Sequence, residues 1–309
     1  MSDRKATYSV FCQNGYVPLH LQPWWLDAVC GCDHWEVALA MEHGDTILGA
    51  FPYYRLRRWG LNTIQLPPLT TYGGPWLHLP PSLDVKAASR LSLEHKVLRE
   101  LIRQLPSVVF FKQNFRPECT NWLPFYWEDY QQTTRYTYIF DAISDLEKTM
   151  AGFKNTLRSD LKKAKRLSVA FNDNEAWPMV FELNQRSFHR KGLPQPYGYE
   201  TLQSLHAALL QRSMAAVFMA YDQDSGKPSA GLYLAFDEQQ AAILLTGTEP
   251  ELKHQGAVLS LIWEAICFCA ERSLRLDFEG SMDKDIEYFF RAFGARLVPY
   301  FQLKKMWPQ

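Results

Sequence analysis

The sequence has no excess of either charge, since 33 Lys and Arg residues balance 33 Asp and Glu residues in 309 positions. A neutral chain lacks the general basic field of a nucleic-acid coat protein, although a local basic patch stays compatible with it. Apolar residues at 47% and charged residues at 21% exclude a disordered or fibrous chain. The length predicts one large domain or two medium ones, at roughly 150 residues each.

The sequence also lacks the pattern of a membrane span and of a signal peptide. Its longest uncharged run, Trp59–Leu83, is interrupted by five prolines, which cannot continue a helix. The basic residues near the N-terminus are followed by no apolar stretch. We therefore expect a cytoplasmic protein with no membrane span.

Cysteine is scarce, with six residues, and a chain of this length needs no disulfides to hold a core. Cys30-Gly-Cys32-Asp-His34 contains chelating side chains. Cys267 and Cys269, however, lie two apart in a helical pattern and point to different sides, which makes them poor ligands for one metal. We expect reduced, structural cysteines and no metal.

Common enzyme signatures are missing as well. The sequence contains no Gly-x-Ser-x-Gly, His-Glu-x-x-His, Gly-x-x-x-x-Gly-Lys-Ser/Thr or Gly-x-Gly-x-x-Gly segment. These absences weigh against a hydrolase, a metalloprotease, a P-loop NTPase and a dinucleotide enzyme.

The hydrophobic periodicity runs twice through the same order of elements: helix, three-strand meander, helix, strand, helix, strand. The pattern predicts an α/β fold of two tandem domains, 1–143 and 144–309, and the second opens with a basic linker helix over 144–167. In the second half we expect two helices first, at Asn174–Arg186 and Glu200–Arg212, and then three strands, at Ala215–Tyr221, Ser229–Phe236 and Ala241–Thr248. A helix at Gln255–Arg272, a strand at Leu274–Glu279, a helix at Asp283–Phe293 and a strand at Arg296–Met306 complete the order.

This order resembles that of the GNAT acyltransferase superfamily. The segment Phe290-Arg-Ala-Phe-Gly294 is similar to the aromatic-x-x-x-Gly turn that closes the last GNAT helix. Two such units joined by the basic helix Arg158–Arg166 resemble the Fem family of peptidoglycan aminoacyltransferases and their acetyltransferase relatives. The resemblance implies two tandem GNAT-like domains, mixed α/β sheets and acyl transfer to an amine, with no tightly bound cofactor.

The resemblance also implies a donor site where the fourth and fifth strands of a GNAT sheet part, here Ala241–Thr248 and Leu274–Glu279. The pyrophosphate loop of GNAT enzymes aligns with Lys253-His-Gln-Gly256-Ala-Val258, in which only Gly256 matches firmly. Phe290 stands where many GNAT enzymes have a tyrosine acid. The donor-binding residues expected on this basis are Thr246, Lys253, Gln255, Gly256 and Ala257.

Three residues are candidates for catalysis. Asp277 and Glu279 alternate with apolar neighbours, which predicts that both carboxylates face one side of a strand, as a base or as members of a structural ion pair. Lys191, in a loop rich in Gly and Pro, could stabilise an oxyanion or be a plain loop residue.

Other residues are candidates for substrate binding, each with a structural alternative. Arg158 and Lys162 follow helical spacing and could grip phosphates of a nucleotide-linked substrate or of tRNA, or form a solvated face. The remaining candidates are Tyr197 in the Pro-rich loop and Tyr72, Gly73 and Gly74 after a strand of the first half, where a tight turn is the alternative.

The sequence thus predicts an N-acyltransferase whose donor is an acyl-coenzyme A or an aminoacyl-tRNA. Its acceptor is an amine, which could belong to a cell-wall or polysaccharide precursor. The alternative is a ligand-binding protein that keeps the fold without turnover. The oligomeric state is not predicted.

Overall fold

The chain forms two compact units in a computed structural model that describes residues 3–42, 46–58, 60–79, 86–164, 167–171, 174–249 and 256–306. By contacts, unit 1 comprises Met1–Arg135 with Pro299–Gln309, and unit 2 comprises Tyr136–Val298. Each unit holds helices packed on a mixed sheet, which confirms the predicted α/β class.

Unit 1 is built around a meander whose first two strands are buried on both faces, over residues 37–40 and 47–53. Its helices are α1 (Asp3–Asn14), α2 (Pro23–Cys30), α3 (Ala87–Gln104) and α4 (Leu123–Tyr126), and its strands are β1 (Trp35–Glu42), β2 (Thr46–Arg58), β3 (Leu61–Gln65), β4 (Trp76–Leu77) and β5 (Phe110–Asn114). β1, β2 and β3 pair antiparallel in sequence order, and β3 then pairs parallel with β5. A parallel pair needs a crossover, and α3 lies in that connection.

Unit 2 repeats this plan with a longer opening segment. Its helices are α5 (Leu146–Ala151), α6 (Asn155–Lys163), α7 (Trp177–Arg190), α8 (Tyr199–Leu210), α9 (Ala257–Glu271) and α10 (Lys284–Arg291). Its strands are β7 (Leu167–Phe171), β8 (Ala215–Asp222), β9 (Pro228–Phe236), β10 (Gln240–Thr248) and β11 (Arg275–Asp277). Two strands run from one unit into the other: β6 (Gln131–Phe140) belongs to unit 2 from residue 136 on, and β12 (Arg296–Met306) belongs to unit 1 from residue 299 on. β7 to β10 form an antiparallel run, and β10 pairs parallel with β11 through the crossover helix α9. α9 is apolar on most sides and lies in the core of this unit.

The last strands of the two repeats are exchanged. β6 ends the first repeat in sequence, yet its residues 139–140 pair with β11 of unit 2. β12 ends the second repeat, yet its residues 302–306 pair with β5 of unit 1. The predicted division at 143/144 assumed that each repeat keeps its own last strand, and as a domain boundary it stays a prediction.

The predicted continuous linker helix over 144–167 is wrong, because the structure has two short helices followed by a strand. Asp145 caps the start of α5 by accepting a hydrogen bond from the backbone N–H of Lys148 at 2.9 Å. Between α5 and α6 the buried Phe153 enters the core, with its ring centroid 5.3 Å from that of Phe293. Burying this ring turns the chain, so the helix stops and restarts. Lys165 and Arg166 lie outside the described residues.

Among the described residues no helix is long and apolar enough to cross a membrane. All six cysteines are free, and burial raises the pKa of Cys269 to about 12. No three His, Cys, Asp or Glu side chains group together as metal ligands would in the described ranges.

Candidate active site in unit 2

Strands β10 and β11 are parallel neighbours that part after one short stretch. They pair only from Gln240 to Ala242, opposite Arg275 to Asp277. β10 continues to Thr248, whereas β11 ends at Asp277. The pairing of β10 with β9 is irregular between Ile243 and Leu245, at the start of the parted length. β10 thus extends six residues beyond its last pair with β11, as the predicted opening requires.

β11 ends at Asp277, and the side chain of this residue makes hydrogen bonds on both sides of the strand end. Its Oδ1 atom accepts a hydrogen bond from the Thr137 hydroxyl at 2.6 Å and another from the backbone N–H of Glu279 at 2.7 Å. Glu279 has a φ of 58°, in the left-handed region, so the extended alternation stops there. The prediction that Asp277 and Glu279 share one strand face is wrong, because the strand has turned before Glu279.

The buried side-chain amide of Asn184 connects the part of β10 beyond Ala242 with helix α7 and with the loop after α7. Asn184 of α7 donates from Nδ2 to the Thr246 carbonyl at 2.7 Å. Its Oδ1 atom accepts hydrogen bonds from Gln195 Nε2 at 2.9 Å and from the Tyr197 hydroxyl at 2.7 Å. The structure therefore brings two predicted residues, Thr246 and Tyr197, to one network that sequence reasoning had not centred on Asn184.

The environment of Tyr197 keeps its phenol protonated. The pKa of Tyr197 is raised to about 12, chiefly by burial, with the hydrogen bond to Gln195 lowering it and the negative charge of Glu279 raising it. The site thus offers a protonated phenol held by Asn184 and, two residues after β11, the half-buried carboxylate of Glu279.

Helix α7 contacts β10 without intervening side chains at Gly247. A Cβ atom at this position would lie 2.2 Å from the backbone nitrogen of Asn184 and 2.3 Å from the carbonyl carbon of Leu183. Only glycine allows this approach, which places Asn184 within reach of Thr246.

A cavity of about 320 Å³ lies beside the C-terminal end of β10. Helices α6, α9 and α10 contribute to its wall, and residues from each of these segments line it: Lys154, Thr156, Thr248, Gly256, Ala257 and Tyr288 among them. The hydrogen bond from the Ser260 N–H to the Gly256 carbonyl, at 2.8 Å, is the first of the helical bonds of α9. The backbone N–H groups of α9 before Ser260 therefore have no carbonyl partner within the helix. Such a helix start favours an anion.

Gly256 sets the start of α9. Its φ of 114° is a value that residues with a side chain rarely adopt, and a Cβ atom would come within 3.2 Å of the Ala164 Cβ and 3.3 Å of the Asp160 carbonyl oxygen. Of the predicted donor-binding residues, Gly256 and Ala257 line the cavity, and Thr246 lies in β10 two residues before Thr248, which also lines it. Lys253 and Gln255 lie outside the described residues.

Arg158 and Lys162 line a different cavity, of about 810 Å³, on the face that α5 and α6 turn away from α9. Arg158 donates a hydrogen bond to the Asn155 side chain. Lys154, one turn before Arg158, is the basic residue of this segment that reaches the cavity at α9.

Lys191 forms an ion pair with Asp283, whose Oδ2 atom lies 3.6 Å from Nζ, and both side chains are more than two-fifths exposed. Asp283 also caps α10 by accepting hydrogen bonds from the backbone N–H groups of Asp285 and Ile286. Lys191 therefore joins the loop after α7 to the start of α10, and its predicted oxyanion role stays a prediction.

In unit 1, the predicted binding residues Tyr72, Gly73 and Gly74 are packed against β5. The Gly73 N–H donates to the Asn114 carbonyl at 2.8 Å, and a Cβ atom on Gly74 would lie 2.4 Å from the Phe115 ring. Tyr72 is 3% exposed and its ring meets that of Tyr300 edge to face at 5.2 Å. This geometry supports the structural alternative for the segment over a binding role.

Sequence reasoning missed Tyr288 as a candidate. It weighed Phe290, whose ring packs on Phe278 at 5.1 Å in the core, as the residue in the usual tyrosine position. No sequence signal set Tyr288 apart, because the cavity that it lines is formed by segments distant in the chain.

The comparisons with known proteins agree with this geometry. Residues 151–288 match the family model described as an acetyltransferase (GNAT) domain. Among solved structures, FemX covers 97% of this chain with 96% of its own, at a TM-score of 0.66 and 11% identity. None of the curated proteins matches the sequence.

Two further structures show the same two-unit fold. L-PGS from Bacillus licheniformis covers 99% of this chain with 93% of its own, at a TM-score of 0.55 and 10% identity. A tandem GNAT protein from the clavulanic acid biosynthesis pathway covers 98% of this chain with 94% of its own, at a TM-score of 0.51 and 11% identity. The predicted tandem GNAT-like fold with a Fem-like arrangement is confirmed, and the GNAT domain supports acyl transfer in general.

Proposed function

We propose that the chain is an N-acyltransferase that takes an acyl group from an acyl-coenzyme A bound in unit 2. The observation that carries the proposal is the parting of β10 from β11 next to the cavity at the start of α9. The open edge of β10 offers backbone groups to a thioester, and the cavity beside its end can take the rest of the donor.

The donor assignment is supported by the chemistry of the cavity wall. The first turn of α9 and Lys154 favour negative charge, as a diphosphate carries, while Ala257, Phe289 and Ala292 supply apolar surface for a pantetheine arm. Asp160 also lines the wall, beside Gly256, so the cavity carries one carboxylate together with the ammonium of Lys154. No tightly bound cofactor is needed for this reaction.

The transfer itself is a substitution at the thioester carbonyl. The amine nitrogen forms a bond to the carbonyl carbon, the carbon–sulfur bond breaks, the amine loses a proton and the thiolate gains one. Glu279 is the proposed proton acceptor, because it is half-buried and lies two residues beyond the end of β11, at the opening. Asp277, the other predicted base, would act on Glu279 by holding its backbone N–H.

A second donor, an aminoacyl-tRNA, is favoured by one separate observation. The cavity lined by Arg158 and Lys162, with Glu147 also in its wall, is the larger of the two, and basic side chains on such a surface suit a phosphate backbone. The acceptor in either version is an amine, and a cell-wall or polysaccharide precursor remains the proposed class.

Two substitutions on α6 test the donor site. Thr156 is exposed and lines the cavity at α9, whereas Ser159 is equally exposed and lines the other cavity. We expect Thr156→Trp to weaken binding of acetyl-coenzyme A at least tenfold by filling the cavity, and Ser159→Trp to leave it unchanged. Isothermal titration calorimetry measures both.

Turnover is measured with the wild-type protein, as thiol release from acetyl-coenzyme A in the presence of a panel of amines. Release that depends on an amine supports the transferase. Binding of acetyl-coenzyme A with no release for any amine favours the non-catalytic alternative. Binding of charged tRNA in place of acetyl-coenzyme A, lost in Ser159→Trp, favours the second donor.

A further inference from the structure

Tyr288 is the one α10 aromatic ring that the described core leaves in solvent. Its side chain is 57% exposed and lines the cavity at α9, whereas Phe289 and Phe290 of the same helix pack on the core. A large ring that stays in water gives up the stabilisation that burial of its apolar surface would provide. The ring therefore presents a flat surface at the mouth of the proposed donor cavity.

Two cations flank this ring. The Lys154 Nζ atom lies 4.2 Å from the ring centroid, and the Arg291 guanidinium carbon lies 5.5 Å from it. Arg291 is partly neutralised, since its Nε atom is 3.3 Å from Glu287 Oε1. Lys154 is exposed, and its four-carbon stem can move the ammonium aside from the ring.

We propose that Tyr288 and Lys154 bind the adenine nucleotide end of the donor, with the base stacked on the Tyr288 ring and a phosphate paired with Lys154. The inference deepens the proposed function and rests on it. A ring next to a mobile cation is the combination that holds a nucleotide without reading its base edges, because every base has a flat face and every nucleotide phosphate a negative charge.

The position of the ring fits that end of the donor and not the acyl end. The cavity touches Thr248, at the end of the parted strand, and Tyr288 on α10. The thioester must lie at the parted strands for the reaction, so the nucleotide extends away from them. The pantetheine arm carries neither an aromatic group nor a net charge and gains nothing from this pair.

The test measures affinity, which needs no knowledge of the acceptor. Coenzyme A, which carries the nucleotide, and 4′-phosphopantetheine, which lacks it, are titrated into the full chain by calorimetry. We expect Tyr288→Leu to weaken coenzyme A about tenfold and to leave 4′-phosphopantetheine unchanged. Tyr288→Phe keeps the ring and should bind coenzyme A like the wild type. Tyr126→Leu, a change at a tyrosine of unit 1 that is 58% exposed, is the matched control and should change neither affinity.

The charge is tested separately. We expect Lys154→Gln to weaken coenzyme A and adenosine 3′,5′-bisphosphate by about fivefold each. Because Lys154 is exposed and lies between α5 and α6, the variant is expected to keep its melting temperature, which is measured alongside.

The outcomes separate this inference from the donor assignment. If the wild type binds coenzyme A and Tyr288→Leu binds it equally well, the nucleotide site is overturned and the donor assignment stands. The same holds if coenzyme A binds no more tightly than 4′-phosphopantetheine. If the wild type does not bind coenzyme A, both fall. A Tyr288→Leu variant that loses charged tRNA instead also overturns the coenzyme A assignment.

Discussion

The two units contain the same parallel strand pair, and they treat the space beyond it differently. In unit 1, β3 pairs with β5 at Thr63 and Ile64, and the chain then returns so that Gly73 bridges Phe115 alongside β5. In unit 2, β10 leaves β11 after Ala242, and within the described residues no returning segment bridges to it. One copy of the fold is closed by its own backbone, and the other keeps an edge open next to a cavity.

The side chains at the end of the second strand follow this difference. β5 ends in amides: Gln113 donates from Nε2 to the Gln65 carbonyl at 2.7 Å, and Asn114 donates to the Thr71 carbonyl at 3.0 Å. β11 ends at a carboxylate, Asp277, and a second carboxylate, Glu279, follows two residues later. An amide can bond backbone donors and acceptors together and so closes the gap in unit 1, whereas a carboxylate can take up a proton. A duplicated fold can therefore concentrate its chemistry in one copy.

The largest expected effect comes from adding one methyl group to a glycine of each unit. At Gly247 the methyl meets the backbone of α7, which cannot move without moving the helix, so we expect Gly247→Ala to lower the free energy of unfolding by about 3 kcal/mol. At Gly73 it meets Gln113 Oε1, 2.2 Å away at the end of a side chain that can rotate, so we expect about half that loss. Urea denaturation followed by tryptophan fluorescence measures both.

The same pair tests whether the open edge serves the donor. Gly247→Ala should also abolish binding of coenzyme A, and Gly73→Ala should keep it. Gly198→Ala is the control, because nothing lies within 4 Å of a Cβ atom there. Equal effects of the Gly73 and Gly247 variants on coenzyme A would remove the functional contrast between the units.

The next effect concerns the two carboxylates of unit 2. We expect Glu279→Gln to lower kcat about 100-fold through loss of the proton acceptor. Asp277→Asn should keep kcat within about threefold, since an amide oxygen can still accept from Thr137 and from the Glu279 N–H. Thiol release from acetyl-coenzyme A measures both. An inactive Asp277→Asn with an active Glu279→Gln would make Asp277 the base.

The smallest expected effect lies where the exchanged strands of unit 2 meet solvent. Asp141, just after β6, accepts two hydrogen bonds from the guanidinium of Arg296 in β12, from Nε at 2.6 Å and from Nη2 at 2.8 Å. Hydrogen bonding to Arg296 lowers the pKa of Asp141 below its ordinary value of 3.8. The pair therefore stabilises the fold at neutral pH, and this contribution is lost as the pH falls through the lowered pKa.

Because both side chains are more than half exposed, we expect Asp141→Asn to cost only about 0.5 kcal/mol at pH 7. The difference between variant and wild type should vanish at an acid pH where the carboxyl group is protonated in both states of the wild type. Unfolding curves at the two pH values measure it. A difference that persists in acid would show that the pair acts through packing.

Periodicity predicted most elements of the fold, because alternation and helical spacing report which side of an element is buried, and the opening between β10 and β11 was implied by the resemblance to GNAT sheets. It could not report which distant segment covers that side. Asp277 bonds Thr137, 140 positions away, and this contact ends the strand before Glu279. Phe153 breaks the predicted linker helix for the same kind of reason, since its partners lie in α9 and after α10.

The candidate site was predicted in part. Gly256 and Ala257, which the resemblance to the GNAT pyrophosphate loop assigned to donor binding, do line the cavity. The pairing of Lys154 with Tyr288 joins a charged stretch to a helix more than a hundred positions later, and nothing in either local pattern announces the other. Asn184 was missed because a single amide within a helix carries no periodic signal.

The exchange of β6 and β12 has a consequence for how the molecule is made. One edge of β5 is paired only after residues 302–306 have been synthesised, long after β5 itself. A fragment that stops at the end of the first repeat would carry β6 without β11 and would leave that edge of β5 bare, and bare strand edges invite aggregation. Folding of the first half thus depends on translation reaching β12.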